Sequence, residues 1–196
     1  MPRRDDLESI MVLGSGPIKI GQAAEFDFSG SQAVRALRED GYKVILVNSN
    51  PATIQNDPEM ADVVYIEPLL PETIAKILEK ERPCALLAGM GGQTALNIAS
   101  ELSHNGTLKR LDVELIGSDL DAIDKAEDRE LFNQVCESIN LPISQAVACN
   151  SIDEVIAAAE LIGSWPILIR PAFTLGGLGG GTARDMGELV EISQLG

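Results

Sequence analysis

The stretch "CALLAGMGGQTALNIASEL", residues 84–102, places a short apolar run, a glycine turn and a helix in direct succession. The run at 84–89 is typical of a buried strand, and the residues after the turn are predicted to form the helix. The same order begins at "IMVLGSGPIKIG", residues 10–21, where an apolar run meets a turn at Gly14–Gly16. Repeated units of this kind are typical of a parallel sheet with helices on both faces.

Further strands and helices alternate around these two units. Three more strands are predicted at 43–47, 63–67 and 113–117, and an amphipathic helix at 71–81. We therefore expect an α/β fold in which residues up to about 120 form one parallel αβα sheet. Both glycine turns should lie at the carboxyl edge of that sheet, where ligands bind in folds of this class.

The pattern changes after Ser118. The predicted elements beyond it are a helix at 121–140, a helix capped by Ser151 and Glu154, a strand at 166–170 and a helix at 185–193 capped by Asp185. This change predicts two domains, residues 1–122 and residues 123–196.

The composition limits the classes of partner. Thirty acidic residues against fifteen basic ones give a net charge of −15, which repels nucleic acid and anionic membranes. A nucleotide site would need locally assembled positive charge. Aromatic residues are 4% of the chain, too few for a platform on which bases stack.

Several features indicate a cytoplasmic protein. The beginning of the chain does not resemble a signal peptide, and no apolar run approaches the roughly 18 residues of a membrane span. Cys84, Cys136 and Cys149 form no CxxC pair, so reduced thiols are expected rather than disulfides or a zinc site. The single histidine, His104, is predicted at an exposed helix end without partners for chemistry.

The turn at Gly14–Gly16 resembles part of a dinucleotide-binding fingerprint but does not complete it. The third glycine of the fingerprint would fall at Lys19, and Asn48 stands where an acid would hold the ribose hydroxyls. The glycines would also serve a tight strand-to-helix turn or the close approach of another domain. Nicotinamide binding is therefore disfavoured.

A second glycine run, in "RPAFTLGGLGGGTARD" at 170–185, has five glycines between Gly176 and Gly181. It is expected to lead from the strand before it straight into the helix after it. Consecutive unhindered N–H groups form a nest for an anion such as phosphate, although the run is not a P-loop. A phosphate-covering loop is favoured over a flexible surface hairpin. Arg170 ends the strand before the run, so its stem should be packed and its guanidinium aimed at the loop. Arg129, judged by spacing alone, is better explained by local surface contacts.

Four segments together resemble the carbamoyl phosphate synthetase large-chain family: "VLGSGPIKIGQAAEFDFSGSQAVRALREDGYKVILVNSNPATIQNDPEMAD", "MGGQTALN", "IDKAEDRELF" and "RPAFTLGGLGGG". The resemblance runs in order through the chain and is to the amino-terminal, carboxyphosphate-forming half. It implies a pre-ATP-grasp domain followed by the beginning of an ATP-grasp domain. It also implies ATP, Mg²⁺ or Mn²⁺, bicarbonate, ammonia from a glutaminase small chain, and a product used in arginine and pyrimidine synthesis.

The resemblance also implies roles for four residues. Arg129 and Arg170 match arginines that contact ATP, and Gly176 and Gly177 match the part of the loop that covers the nucleotide. The family's metal-binding acids match positions beyond residue 196, in the remainder of the large chain. No catalytic residue and no metal ligand is therefore assigned within this sequence, which resembles an opening part of the longer chain.

Two hypotheses follow. The first is a part of an ATP-dependent ligase that phosphorylates bicarbonate and makes carbamoyl phosphate. Another ATP-grasp carboxylase or amide ligase is a close rival, against which "NSNPAT" and Arg170 argue. The second is a non-catalytic nucleotide-binding or assembly module of ATP-grasp origin, which the absence of the matched metal ligands favours.

Overall fold

The computed structural model describes residues 3–16, 23–171 and 179–195, with the backbone alone at 23–25 and at Arg129. The chain divides into two compact units, residues 1–135 and residues 136–196. Within these ranges no helix is both long enough and apolar enough to cross a membrane.

The first unit is built on a five-stranded sheet in which all neighbouring strands are parallel. Its strands are β1 (Ser9–Leu13), β2 (Lys43–Asn48), β3 (Val63–Ile66), β4 (Ala85–Leu87) and β5 (Glu114–Ile116). Their order across the sheet is β3-β2-β1-β4-β5. The parallel sheet predicted from the alternation of strands and helices is confirmed.

Helices connect and follow these strands. They are α1 (Ala23–Glu39), α2 (Pro71–Glu81), α3 (Gly92–His104), α4 (Thr107–Leu111) and α5 (Leu120–Glu127), with a 3₁₀ turn at Ile54–Asn56. Where one helix was expected over 121–140, the chain forms α5 and a separate α6 (Arg129–Ser138). The reason is Asp128, whose extended backbone (φ −87°, ψ 119°) ends α5.

The core lies on both faces of the sheet. Along β1, Met11 and Leu13 join one buried cluster, while Ile10 and Val12 join the other. The first cluster is covered by residues of α2, α3 and α4, and the second by residues of α1. Because both faces are buried, the sequences of the strands are continuous apolar runs and do not alternate between apolar and polar residues.

The two glycine turns follow β1 and β4, so both lie at the carboxyl edge of the sheet, as predicted. They also approach each other closely. A Cβ on Gly91 would lie 2.5 Å from the carbonyl oxygen of Gly14 and 2.9 Å from that of Leu13. Glycine at 91 is therefore required by the packing of one turn against the other.

The second unit is smaller. It contains the end of α6, α7 (Ile152–Ile162), β6 (Ile167–Ile169), β7 (Gly181–Ala183) and α8 (Met186–Ser193). Its buried cluster is formed by Ala159, Ala183 and Leu189. The strands β6 and β7 pair in antiparallel fashion as a two-stranded sheet.

Because the two glycine turns approach each other closely, we expect alanine to destabilise the protein at position 91 but not at position 89. Gly91→Ala should lower the free energy of unfolding of the first unit by roughly 1–3 kcal/mol, because the new Cβ overlaps backbone atoms. Gly89→Ala is the matched control, since a Cβ there meets no atom within 4 Å, and it should stay within about 0.5 kcal/mol. Urea unfolding followed by circular dichroism measures both variants. Equal stability of the two would contradict the close contact.

We expect the thiols of Cys84 and Cys149 to react with an alkylating agent at different pH values. Hydrogen bonds from the backbone of Glu8 and then of Ser9 lower the pKa of Cys84. Burial, with a smaller contribution from the charge of Glu154, raises the pKa of Cys149. Since the thiolate is the species that alkylates, the iodoacetamide reaction of Cys84 should rise at a lower pH than that of Cys149, as read by mass spectrometry of the two peptides. The reverse order would contradict this assignment.

Candidate functional site

The candidate site in the second unit is the hairpin of β6 and β7. Ile169 pairs with Gly181, and Leu168 pairs with Thr182. The glycine run was expected to lead from one strand straight into a helix, and this was wrong. The run instead joins two antiparallel strands, because Gly181 begins β7 before α8 starts.

The two faces of β6 differ in burial. Ile167 and Ile169 pack against the buried cluster of the second unit. Leu168 is 70% exposed, and Arg170, which follows the strand, is exposed as well. Because side chains alternate along a strand, Leu168 and Arg170 belong to the same open face, beside the exposed Thr182 of β7.

The expectation of a packed stem for Arg170 was wrong. Arg170 follows the last residue of β6, Ile169, and is exposed rather than packed. Its charge is nevertheless where the sequence predicted it, at the beginning of the connection that carries the glycines. Leu168 and Thr182 were missed as possible site residues. The two-residue spacing between Leu168 and Arg170 was the signal that could have identified Leu168, because side chains two apart on a strand share a face.

The last glycines of the run have structural reasons of their own. Gly179 has a φ of +73°, a conformation that favours glycine. A Cβ on Gly180 would lie 2.8 Å from the carbonyl oxygen of Ile169, and one on Gly181 would lie 3.2 Å from the side chain of Ile192. Gly176 and Gly177, the two glycines matched to the nucleotide, lie outside the described residues.

Arg129 is the first residue of α6 and belongs to the first unit. Its helix begins where the oxygen Oδ1 of Asp128 accepts the backbone N–H groups of Glu130 at 2.8 Å and Leu131 at 3.0 Å. The backbone position of Arg129 is thus defined by a helix cap, a feature that the prediction of one continuous helix did not include.

Several acids of the second unit are used in helix caps. The hydroxyl of Ser151 accepts the N–H of Glu154, whose carboxylate accepts the N–H of Asn150 at 2.7 Å. Asp185 accepts the N–H of Glu188 at 2.9 Å, and Glu188 accepts that of Arg184 at 2.8 Å. Both arrangements resemble a capping box, except that each glutamate accepts the N–H of the residue before the N-cap. The capping roles predicted for Glu154 and Asp185 are confirmed.

No group of three or more His, Cys, Asp or Glu side chains that could hold a metal ion occurs within the described residues. The described residues of the second unit therefore do not by themselves fit a divalent-cation site. His104, for its part, lies 3.2 Å from the carboxylate of Asp124, a surface pair between α3 and α5.

The turn at Gly14–Gly16 is a second candidate site, but the side-chain amides of Asn48 and Gln55 pack against it. The side-chain oxygen of Asn48 accepts the N–H of Gly16 at 2.9 Å, and its amide nitrogen donates to Gln55 at 3.4 Å. Asn48 and Gln55 are completely buried. A Cβ on Gly14 would lie 2.7 Å from the Asn48 side chain.

Gln55 continues this network by donating to the carbonyl of Phe26 at 2.8 Å. The position of the ribose-binding acid of a dinucleotide fold is thus taken by a buried amide that holds the turn itself. The glycines at this edge serve close packing, which agrees with the structural alternative considered for them.

Two family models match the chain in succession. Residues 6–125 match the model described as carbamoyl phosphate synthase preATP-grasp domain, and residues 128–196 match carbamoyl-phosphate synthase L chain, ATP binding domain. Curated large chains of carbamoyl phosphate synthase from Nostoc sp., Neisseria meningitidis and Archaeoglobus fulgidus are each 58% identical over 196 residues. These alignments cover 100% of this chain and 18% of each relative, so the chain spans 18% of their length.

Solved structures share the fold at low identity. The biotin carboxylase domain of Hydrogenobacter thermophilus 2-oxoglutarate carboxylase, solved with MgADP, ADP and bicarbonate, has a TM-score of 0.69 at 18% identity. The alignment covers 94% of this chain and 39% of the solved chain. N5-carboxyaminoimidazole synthetase from Staphylococcus aureus has a TM-score of 0.61 at 14% identity, covering 96% and 44%.

These structural likenesses support the fold, and the two family models succeed each other between residues 125 and 128, ahead of the division between the two compact units at residues 135 and 136. The hairpin with Arg170 lies in the part that matches the ATP-binding domain. The chain belongs to the carbamoyl phosphate synthase large-chain family and matches its preATP-grasp domain and its ATP-binding domain.

Proposed function

We propose that the chain contributes to ATP binding in the amino-terminal, carboxyphosphate-forming half of a carbamoyl phosphate synthase large chain. The complete enzyme would phosphorylate bicarbonate with ATP and would use ammonia and further ATP to make carbamoyl phosphate. The observation that carries this proposal is the 58% identity with curated large chains, sustained over all 196 residues. The exposed Arg170 beside the glycine run agrees with it.

The proposed roles of the site residues follow their chemistry. Arg129 and Arg170 hold phosphate charge, because guanidinium groups make charge-assisted hydrogen bonds with phosphate oxygens. Gly176 and Gly177 bring backbone N–H groups close to the nucleotide. The open face of β6 supports this arrangement, since it presents an apolar residue, Leu168, next to Arg170. A nucleotide has matching parts, an apolar base and a charged phosphate chain.

Mg²⁺ or Mn²⁺ is proposed as the cation, with ligands supplied by residues beyond this sequence. When bound, such a cation neutralises charge on the transferring phosphoryl group. The hydrogen bonds of the second unit support ligands from elsewhere in the large chain. Three of its acids, Glu154, Asp185 and Glu188, are engaged in helix caps. This chain's own contribution is to bind and orient the nucleotide.

The other parts of the proposal concern the assembly. The remainder of the large chain and a glutaminase small chain are the proposed partners, and the cytoplasm is the proposed compartment. Arginine and pyrimidine synthesis are the proposed uses of the product. The functional boundary is proposed at residues 122 and 123, close to where the two family models succeed each other between 125 and 128.

A second candidate function is a nucleotide-binding or assembly module without catalysis. The capping roles of the acids favour it for this chain taken alone. The two candidates share the ATP site and differ in turnover by the whole protein.

The ATP site predicts weak binding that depends on Arg170. Two charge-assisted contacts of roughly 1.5–3 kcal/mol each correspond to a dissociation constant in the millimolar range. Equilibrium dialysis with labelled ATP should detect this binding, and Arg170→Ala should weaken it by about 10- to 150-fold, the loss expected for one such contact. Arg170→Lys should fall between the two, because lysine keeps the charge and loses the bidentate geometry.

Arg35→Ala is the control for this experiment. Arg35 is an exposed arginine that belongs to the first unit and not to the unit that contains the hairpin, so its loss changes net charge by the same amount. Unchanged ATP binding by Arg170→Ala would count against the proposed site. Equal weakening by Arg35→Ala would show that only net charge matters.

The metal argument predicts no turnover by this chain alone. Phosphoryl transfer needs a cation bridging the β- and γ-phosphates, and that cation needs carboxylate ligands. Bicarbonate-dependent release of phosphate from ATP by the purified 196-residue chain should therefore not exceed the background without protein. Release above background that is lost in Arg170→Ala would contradict the assignment of the acids to helix caps.

A further inference from the structure

The connection between α5 and α6 consists of a single residue, Asp128. Its backbone N–H donates to the carbonyl of Asp124 at 2.9 Å and completes α5. Its own carbonyl accepts the N–H of Phe132 at 2.8 Å and opens α6. Its carboxylate oxygen Oδ1 accepts two further backbone N–H groups in the first turn of α6. One residue therefore ends one helix and begins the next.

The helix on the near side of Asp128 is fixed to the sheet. Ile123 of α5 is buried. Gln93 of α3 donates to the carboxylate of Glu127 at 2.5 Å, and Ser100 of α3 donates to Asp124 at 3.2 Å. Since α3 covers one face of the sheet, Asp128 starts from a frame that the core of the first unit holds in place.

The capping contacts decide where α6 starts. The first four N–H groups of a helix have no partner within the helix, and Asp128 satisfies two of them. A shift of this start by one residue would turn every following position by about 100°, because a helix has 3.6 residues per turn. Arg129 is the first helical residue, so the cap fixes the place of its backbone.

We propose that Asp128 is a positioning residue for the nucleotide, acting through the backbone of Arg129. The inference rests on the proposed function, in which Arg129 contacts ATP. The helix terminus is not itself proposed as a site, and Asp128 is not proposed to touch ATP. Its carboxylate holds the first turn of α6 in the one register that presents position 129 to the phosphates.

The test uses the whole chain with three variants at the cap and its neighbour: Asp128→Ala, Asp128→Asn and Arg129→Ala. Asparagine caps a helix about as well as aspartate, whereas alanine does not. ATP binding is measured by equilibrium dialysis, and the exchange of the Glu130 and Leu131 amides is measured by NMR. Asp119→Ala is the matched control, because Asp119 caps the neighbouring α5 through the N–H of Ala122 at 2.7 Å.

For Asp128→Ala we expect faster exchange of both amides and a dissociation constant for ATP raised by a factor between about 2 and 30, the range produced by loss of a helix cap. Asp128→Asn should show the same amide exchange and the same dissociation constant for ATP as the unmodified chain. Asp119→Ala should leave ATP binding unchanged. Arg129→Ala should weaken ATP binding while leaving exchange of the two amides slow.

The failures are distinguishable. Normal ATP binding by Asp128→Ala, beside weakened binding by Arg129→Ala, would overturn the inference and leave the proposed function standing. Failure of Asp128→Asn to restore binding, or weakening by Asp119→Ala to the same degree, would also overturn it. Absence of any effect in Arg129→Ala would reject the role of Arg129 in the proposed function, and the inference with it.

Discussion

The buried side-chain amide of Asn48 holds together the segments that follow β1 and β2 at the carboxyl edge of the sheet. It holds the N–H of Gly16 after β1 and reaches Gln55 after β2. Gly14 must lack a side chain for this amide to fit, and Gly91 must lack one for the second turn to pack against the first. The turns after β1 and β4 can approach each other only because this small volume is left free of further side chains. The edge where α/β folds commonly bind ligands is here occupied by the protein's own side chains.

This packing separates two uses of glycine within one chain. At Gly14 and Gly91 the missing side chain admits neighbouring protein atoms. In the hairpin of the second unit, Gly180 and Gly181 also have protein neighbours, while Leu168, Arg170 and Thr182 leave one face of the strands open. The proposed nucleotide site therefore depends on an exposed strand face and on charge, rather than on glycine content alone.

The sequence predicted the sheet well because its strands are buried on both faces, which leaves apolar runs such as 43–47 between clear turn residues. It also predicted the capping roles of Glu154 and Asp185, since capping boxes are local. The break at Asp128 was missed because the apolar spacing continues through it and only hydrogen bonds to Glu130 and Leu131 mark it. The pairing of β7 with β6 was missed because three residues beginning with Gly181 carry almost no strand pattern. Neither feature can be read from spacing alone.

The central claim is that ATP binds at the β6–β7 hairpin and not at the turn after β1. A map of backbone amide chemical shifts during titration of the isotope-labelled chain with ATP tests it most directly. The account predicts that the largest shifts fall on the hairpin and its connection, at Leu168, Arg170, Gly176, Gly177 and Thr182, with Gly14 and Gly16 unmoved. Shifts concentrated at Gly14 and Gly16, with the hairpin unchanged, would contradict the account.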